Sequence, residues 1–322
     1  MMKKTLLQVL ALLIGFGVVL GATTASGEPV RMSYLQDGFH HLPLWVALEK
    51  GFFKDHGVDV KIAGIFRAGP ETMSAFSAGS LDMAYLGIAP VITAVANKAA
   101  QVKIVAGVNL NGSAIVVPPT SSLRGIPDLR GESVAIPGIS TVQDFLLKKA
   151  LADNGIEAGD VNTIVLKPPE MLGALQTGQI DSCLPWEPFP AKAITSGIGR
   201  VLVTSKQIWP NHPCCVLVAD KRFVDRHGDE IKAIVAAHLD GIEFIKKNPE
   251  EAIKIAVKYT GMDEKTIRLA LNNVTYSSEL NLAEIKEYLR LLNESKYSKI
   301  DDPDAFVQGL LELKWLGELR SK

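Results

Sequence analysis

The stretch AFSAGSLD at residues 75–82 recurs as ALQTGQID at residues 174–181. In both copies an apolar helical segment is followed by a glycine and then by a short strand, because glycine adopts the left-handed conformation that ends a helix at little cost. The preceding segments also correspond, since residues 38–60 and 138–161 each run from a loop through an apolar helix to a glycine and a strand. The repetition predicts a duplicated α/β unit, and two such units facing across a cleft can enclose a small molecule.

Length and charge limit the class of protein. The chain has 322 residues, of which 47% are hydrophobic, enough to bury two cores. Its formal net charge is -1, and it contains no polybasic run that could follow a phosphate backbone. We therefore expect no nucleic-acid partner.

The first 27 residues have the layout of a secretory signal peptide. Lys3 and Lys4 precede an apolar run over residues 6–20, and small residues follow it. This run is short for a membrane span, which needs about twenty residues, although an uncleaved anchor remains the alternative. We expect export to the periplasm or the extracytoplasmic cell surface.

The mature chain alternates strands, loops and helices, which predicts mainly parallel sheets covered by helices. A composition break at Pro118 and Pro119 predicts the first crossing between two lobes, and the apolar strand near residues 214–219 predicts the second. Lobe 1 would then comprise residues 28–117 and 219–322, and lobe 2 residues 118–218. From residue 220 onward the pattern is typical of helices with charged outer faces, which we interpret as packing scaffold. His238 lies on their apolar face and is expected to be a hydrogen-bonded core residue.

The three cysteines do not form a recognisable framework. Cys183, Cys214 and Cys215 lack the spacing of a zinc motif, and the adjacent pair could form a disulfide only through a strained small ring. We expect buried reduced thiols, no cofactor and no metal. A metal site built from His212, Cys214 and Cys215 is the alternative.

Functional residues are expected in loops at the carboxyl ends of strands, where ligands of open α/β sheets bind. Helices that begin there present unpaired amide donors and a partial positive charge, which favour an anionic or strongly accepting group. Five loops qualify: residues 38–43, 67–70, 87–90, 138–141 and 185–188.

Several side chains in these loops allow two interpretations. Arg67 could clamp a carboxylate or sulfonate or remain a solvated charge. Ser140 and Thr141 have capping-box spacing to Gln143 and Asp144, so either hydroxyl could cap a helix or face the cleft.

Aromatic and imidazole side chains complete the predicted site. Trp186 beside Glu187 could hold a ring or an amine, or Trp186 could pack against its lobe, and His212 could brace the hinge. In the first case Trp186→Ala would abolish solute binding with little effect on stability. The predicted ligand-binding residues are His40, His41, Arg67, Gly69, Gly87, Ile88, Asn109, Ser140, Thr141, Trp186, Glu187 and His212. No nucleophilic triad is apparent among them, so we expect no enzymatic activity.

Five motifs carry a resemblance to a known family. They are VALEKGFF at residues 46–53, GVDV at 57–60, AGSLD at 78–82, DLRG at 128–131 and WEP at 186–188. The chain resembles the solute-binding proteins of nitrate, sulfonate and taurine importers, a group that includes binders of thiamine-pyrimidine precursors. The resemblance implies a type II periplasmic-binding-protein fold: an α/β protein with two Rossmann-like lobes, a double-crossing hinge and a helical C-terminal region. It also implies a monomer that delivers its solute to an ABC permease powered by a cytoplasmic ATPase.

Two questions stay open at this point. A pyridoxal-phosphate-dependent thiamine-pyrimidine synthase-like enzyme on the same fold, or a sensory ligand-binding subunit, would share the cleft. The solute could be a small anion that uses the helix termini and Arg67, or a heteroaromatic compound that uses Trp186 and Glu187.

Overall fold

A computed structural model describes residues 28–321 of the chain. The predicted signal peptide, residues 1–27, lies outside the described residues. Over residues 28–321, no helix combines the length and hydropathy needed to cross a bilayer.

The described chain alternates strands and helices over its first two thirds and is mainly helical afterwards. The strands are β1 Val30–Leu35, β2 Val60–Phe66, β3 Met83–Gly87, β4 Val102–Asn111, β5 Ala114–Val117, β6 Ser133–Ile136, β7 Asn162–Val165, β8 Ser182–Cys183, β9 Arg200–Thr204, β10 Pro213–Asp220 and β11 Val274–Tyr276. The helices are α1 Leu42–Lys50, α2 Phe52–Asp55, α3 Gly69–Ser77, α4 Ile88–Ala96, α5 Val142–Asp153, α6 Pro168–Gln176, α7 Phe189–Thr195, α8 Ser205–Ile208, α9 Lys221–Val224, α10 Gly228–Lys247, α11 Pro249–Thr260, α12 Glu264–Leu271, α13 Leu282–Glu294, α14 Pro303–Leu310 and α15 Lys314–Arg320. Short 3-10 helices span Phe39–His41, Ile126–Leu129 and Ala158–Asp160.

The strands form two sheets with related topology. The first has the order β11-β4-β10-β3-β1-β2 and the second β7-β6-β8-β5-β9. The parallel sets β2-β1-β3 and β7-β6-β8 correspond, which confirms the duplicated α/β unit. Both sheets are mixed rather than mainly parallel, because β4, β10 and β11 in the first and β5 and β9 in the second pair antiparallel to their neighbours.

The glycine of each repeat ends a helix in the same way. Gly79 and Gly178 have φ values of 71° and 70°. The next amide reaches back to the helix in both copies, Ser80 N to Ala75 O at 3.0 Å and Gln179 N to Ala174 O at 2.9 Å. This is the Schellman closure, which requires a residue that tolerates positive φ.

The aspartate of each repeat fastens the unit to its first strand. Asp82 accepts the backbone N–H of Arg31 at 2.8 Å, and Asp181 accepts that of Ser133 at 2.8 Å. A carboxylate here provides a hydrogen-bond acceptor for a backbone amide near the start of the strand. The repeated sequence therefore encodes a helix stop followed by a strand anchor.

The chain crosses between the sheets twice, and the two crossings lie side by side. The first occurs at Gly112 and Ser113, between β4 and β5, and the second runs through α8 to β10. Ser113 N donates to Ser205 Oγ at 3.1 Å, and Asn111 N donates to His212 O at 3.2 Å. The predicted lobe boundaries differ from this arrangement, because β5 pairs within the second sheet and β10 within the first.

The C-terminal helices pack on the first sheet and also reach helices of the second. Helix α12 packs against α7, and α13 packs against α5. Tyr297 donates to Asp144 Oδ2 at 2.7 Å, a contact between these two parts. His238 is a hydrogen-bonded core residue as expected, since its ring nitrogens lie 3.1 Å from Tyr85 Oη and 2.8 Å from Gly107 O.

Candidate functional site

A narrow cavity lies where the two sheets face each other. Its volume is about 20 Å³, measured as the space open to the centre of a water molecule. Its lining combines both sheets: Leu35, Gly38, His40, His41, Gly69, Gly87 and Pro90 from the first unit, Thr141, Val142, Gln143 and Trp186 from the second, and Cys214 and Cys215 at the start of β10. The first unit contacts the second across the cavity, since a Cβ at Gly87 would lie 3.2 Å from Val142 Cγ2.

Four helices begin at the cavity. The first residues of α3 and α5, the residue before α4 and the residue before α1 are among those that line it. Each helix amino terminus carries a partial positive charge and amides without partners inside the helix. The cavity therefore favours a group with negative charge or strong acceptors.

His41 presents a neutral donor at this cavity. Its Nδ1 accepts the backbone N–H of Leu35 at 3.2 Å, so the ring proton lies on Nε2. Burial, together with the neighbouring His40, lowers the pKa of His41 to about 3. Nε2 is buried and has no partner among the described residues.

Trp186 presents a second donor. Its side chain is 4% exposed, lines the cavity and belongs to the core cluster of the second unit. The indole Nε1–H is also buried without a partner among residues 28–321. Buried polar groups are normally hydrogen-bonded, and of the buried side-chain atoms without a partner among residues 28–321, these two belong to residues that line the cavity. Both donors are therefore available to an acceptor there.

His40, Cys214 and Cys215 form a buried cluster on the cavity wall. His40 Nδ1 lies 3.4 Å from Cys214 Sγ and 3.7 Å from Cys215 Sγ, and the two sulfurs are 4.0 Å apart. A hydrogen bond from the Cys215 thiol, helped by His40, lowers the pKa of Cys214 well below its ordinary value. Burial raises the pKa of Cys215. Cys183, Cys214 and Cys215 are all free and buried, and it is His40 rather than His212 that joins the adjacent pair.

Two helix-start hydroxyls divide their roles. Thr141 caps α5 by accepting the N–H of Asp144 at 3.3 Å, and it also lines the cavity. Ser140 lies in a neighbouring outer groove, where its Oγ donates to Thr93 of the first unit.

Arg67 lies outside the cavity lining. Its guanidinium pairs with Glu170 of α6, and both side chains are 48% exposed. In a second ion pair the cation comes from the second unit and the carboxylate from the first, since Lys167 Nζ lies 3.1 Å from Glu71 Oε1. Arg67 therefore joins the two units at the cleft mouth, and its charge is already compensated.

Glu187 is buried among protein partners and is also absent from the lining. Its carboxylate accepts from Asn273 Nδ2 at 2.7 Å and from Ala191 N at 3.2 Å. Burial raises the pKa of Glu187 to about 7, although both hydrogen bonds act against this shift. Glu187 links the loop after β8 to the C-terminal helices.

Three further predicted residues support the site without lining the cavity. Asn109 Oδ1 accepts the N–H of Cys215 at 3.2 Å, and His212 contacts Trp209 O through Nδ1 at 2.8 Å beside the second crossing. Ile88 is fully buried at the start of α4. Among the twelve predicted residues, the structure brings together His40, His41, Gly69, Gly87, Thr141 and Trp186.

Seven of the residues that line the cavity were not predicted from the sequence. Gly38 and Pro90 lie inside two of the five predicted loops, and Val142 and Gln143 directly follow a third. Leu35 is the last residue of β1, before the first loop. Cys214 and Cys215 were expected to be buried reduced thiols, with a metal site that included His212 as the alternative. Their position at the end of a crossing segment was the available indication.

The chain forms two α/β units, passes between them twice, and encloses a cavity among helix amino termini. This arrangement defines the class of two-lobed solute-binding proteins. The chain belongs to the NMT1-like family, whose sequence profile matches residues 25–259. It is 29% identical over 258 residues to the taurine-binding periplasmic protein of Escherichia coli, covering 78% of this chain and 75% of that protein.

Solved structures share the fold. The periplasmic nitrate-binding protein NrtA of Synechocystis PCC 6803 aligns with a TM-score of 0.80 and 20% identity over 91% of this chain and 88% of that one. The alkanesulfonate-binding protein SsuA of Xanthomonas axonopodis pv. citri aligns with a TM-score of 0.77 and 21% identity over 86% and 96%. These likenesses confirm the predicted periplasmic-binding-protein fold.

Proposed function

We propose that this protein is the extracytoplasmic solute-binding subunit of an ABC importer and that it captures a small oxyanion of the sulfonate class. The observation that carries the proposal is the pair of unpartnered donors, His41 Nε2–H and Trp186 Nε1–H, at a cavity ringed by helix amino termini. Relatives named for taurine and alkanesulfonates support this solute class. The protein acts as a monomer and delivers its solute to a membrane permease with a cytoplasmic ATPase.

The recognition of the oxyanion relies on neutral donors. Arg67 was considered for an anionic solute and Glu187 for an amine-bearing one. Arg67 pairs with Glu170, and Glu187 accepts a hydrogen bond from Asn273, so both side chains already have partners within the protein. Neutral N–H groups and helix dipoles can bind a dehydrated anion without the desolvation cost of a buried cation. Six of the predicted residues then serve as ligand-binding residues: His40, His41, Gly69, Gly87, Thr141 and Trp186.

Binding is coupled to lobe closure. The first sheet and the second sheet, with their helices, are the two lobes, and the paired crossings near Gly112 and His212 are the hinge. Contacts such as Gly87 against Val142 and Arg67 with Glu170 join the lobes and form only when the cleft is closed. A solute that contacts both lobes shifts the population toward this state, and the permease recognises it.

An enzymatic function has less support. A pyridoxal-phosphate enzyme holds its cofactor through a lysine Schiff base, and none of the described residues that line the cavity is a lysine. The proposal is accordingly that the solute leaves the protein chemically unchanged.

The solute class can be tested by titration calorimetry of the purified exported protein. The panel comprises alkanesulfonates, taurine, nitrate and neutral heteroaromatic amines, and mass spectrometry follows the recovered compound. We expect one sulfonate per chain and no chemical change. Binding of heteroaromatic amines without any oxyanion, or recovery of an altered compound, would refute the proposal.

The ion pair at the cleft mouth predicts a salt-dependent contribution to affinity. Glu170→Gln removes one partner of Arg67, so solute affinity should fall roughly two- to fivefold at low ionic strength and the difference should vanish in about 1 M salt. Calorimetry at both salt concentrations measures it. The control is Glu250→Gln, whose partner Arg268 lies within the C-terminal helices, and it should leave affinity unchanged. Equal effects of both variants would contradict closure at this pair.

A further inference from the structure

The cluster of His40, Cys214 and Cys215 is more compact than core packing requires. Their donor atoms lie within 4.8 Å of one another, and the side chains are 2%, 1% and 4% exposed. All three residues also line the cavity. The two donors proposed for the solute, on His41 and Trp186, do not require two thiols to approach the His40 imidazole.

The separations between the three donor atoms are close to those that a bound metal ion imposes on its ligands. An ion about 2.3 Å from each sulfur and about 2.0–2.1 Å from the nitrogen, with angles between tetrahedral and trigonal, separates these atoms by roughly 3.6–4.0 Å. The observed separations are 3.4, 3.7 and 4.0 Å. An ion could therefore bind with only small movements of the side chains.

The backbone directs both cysteines to the same side. Neighbouring residues of a regular strand point to opposite faces, but the pairing of β10 with β4 shifts register on both sides of Cys215. Such bulges re-aim side chains. Asn109 Oδ1 secures this bulge by accepting the N–H of Cys215 at 3.2 Å.

A backbone hydrogen bond orients the third donor, His40. His40 Nε2 donates to Gly112 O at 2.9 Å, so the lone pair lies on Nδ1, which faces the sulfurs. A histidine ligand held by a backbone carbonyl through its other nitrogen is the usual second-shell arrangement of metal sites.

The donor set determines the kind of metal. Two sulfurs and one imidazole nitrogen, without a carboxylate in the cluster, suit thiophilic ions and are poor ligands for Mg²⁺ or Ca²⁺. We propose that His40, Cys214 and Cys215 bind one thiophilic closed-shell metal ion, Zn²⁺ or Cu⁺, on the wall of the cavity. Three protein ligands leave a coordination position open to the cavity, where a donor atom from water or from a bound molecule completes the shell. From the sequence we expected no metal, with a site of His212, Cys214 and Cys215 as the alternative; the proposed site keeps both cysteines and has His40 in place of His212.

The test uses the full exported protein, reduced and stripped of metal under anaerobic conditions, with no solute added. Zn²⁺ and Cu⁺ are titrated in separate experiments against a competing chromophoric chelator. We expect one equivalent of at least one of these ions to bind. Cys214→Ala and Cys215→Ala should each weaken binding at least about 100-fold, the upper limit for loss of a mere outer-shell partner.

Cys183→Ala is the matched control, because Cys183 is also buried and free but belongs to the second sheet. This variant should bind metal like the wild type. X-ray absorption of the loaded wild-type protein, which needs no variant to fold, should show two sulfurs and one imidazole nitrogen. The site would be overturned if the protein took neither ion from the chelator, if the Cys214 and Cys215 variants bound metal like the wild type, or if the coordination shell contained no sulfur. The cluster would then be held by thiol–imidazole hydrogen bonds alone.

Discussion

Trp186→Phe is expected to weaken solute binding roughly 10- to 100-fold. The substitution removes the indole N–H and keeps an aromatic ring in the cavity wall. A hydrogen bond to a charged group contributes about 1.5–3 kcal/mol, and each 1.4 kcal/mol changes the dissociation constant about tenfold. Titration calorimetry with the best sulfonate from the panel measures the effect.

Trp45→Phe is the matched control for this prediction. Trp45 is fully buried, and its Nε1 likewise has no partner among the described residues, but it does not line the cavity. The same chemical change should therefore leave solute affinity unchanged. If both variants bind solute like the wild type, Trp186 is a packing residue and the oxyanion contact is absent.

The structure also changes the expected outcome of Trp186→Ala. Little loss of stability was expected from the sequence, whereas Trp186 is 4% exposed and packs in the core of the second unit. Truncating such a residue costs about 3–5 kcal/mol. Lost binding in that variant would not separate recognition from unfolding, so phenylalanine is the informative replacement.

The parts of the fold that could be predicted are those that depend on neighbours in the chain. Gly79 and Gly178 end helices by contacts within a few residues, so the repeat is visible in the sequence. Strand direction and sheet membership depend on distant partners. The four apolar residues of β5 pair with β9, which lies far along the chain, and nothing local to residues 114–117 specifies that choice.

The same distinction applies to the site. His41 and Thr141 were predicted because helix starts after strands are evident locally. Arg67 and Glu187 were predicted to bind ligand, but their partners, Glu170 and Asn273, lie far from them in sequence. Whether a charged side chain already has a partner within the protein is a property of the folded chain and not of its neighbours in sequence.

Gly112→Ala is expected to lower the free energy of unfolding by roughly 3–5 kcal/mol, because it combines left-handed strain with overpacking. Gly112 has a φ of 90°, and an added Cβ would lie 2.4 Å from His40 Nε2 and 2.9 Å from Val274 Cγ2. Both contacts are side chains in a buried region at the first crossing, where little space remains for them to move. Denaturant-induced unfolding measures the loss.

Gly131→Ala separates the two causes. Gly131 has a φ of 83° with no atom within 4 Å of an added Cβ, so only the left-handed strain of about 1–2 kcal/mol applies there. The additional loss at Gly112 then measures the contact with His40 and Val274. Displacing His40 also breaks its bond to Gly112 O, which fixes the ring nitrogen that faces the cysteines. Equal losses in the two variants would show that His40 and Val274 move aside at little cost, and that Gly112 does not hold His40 in place.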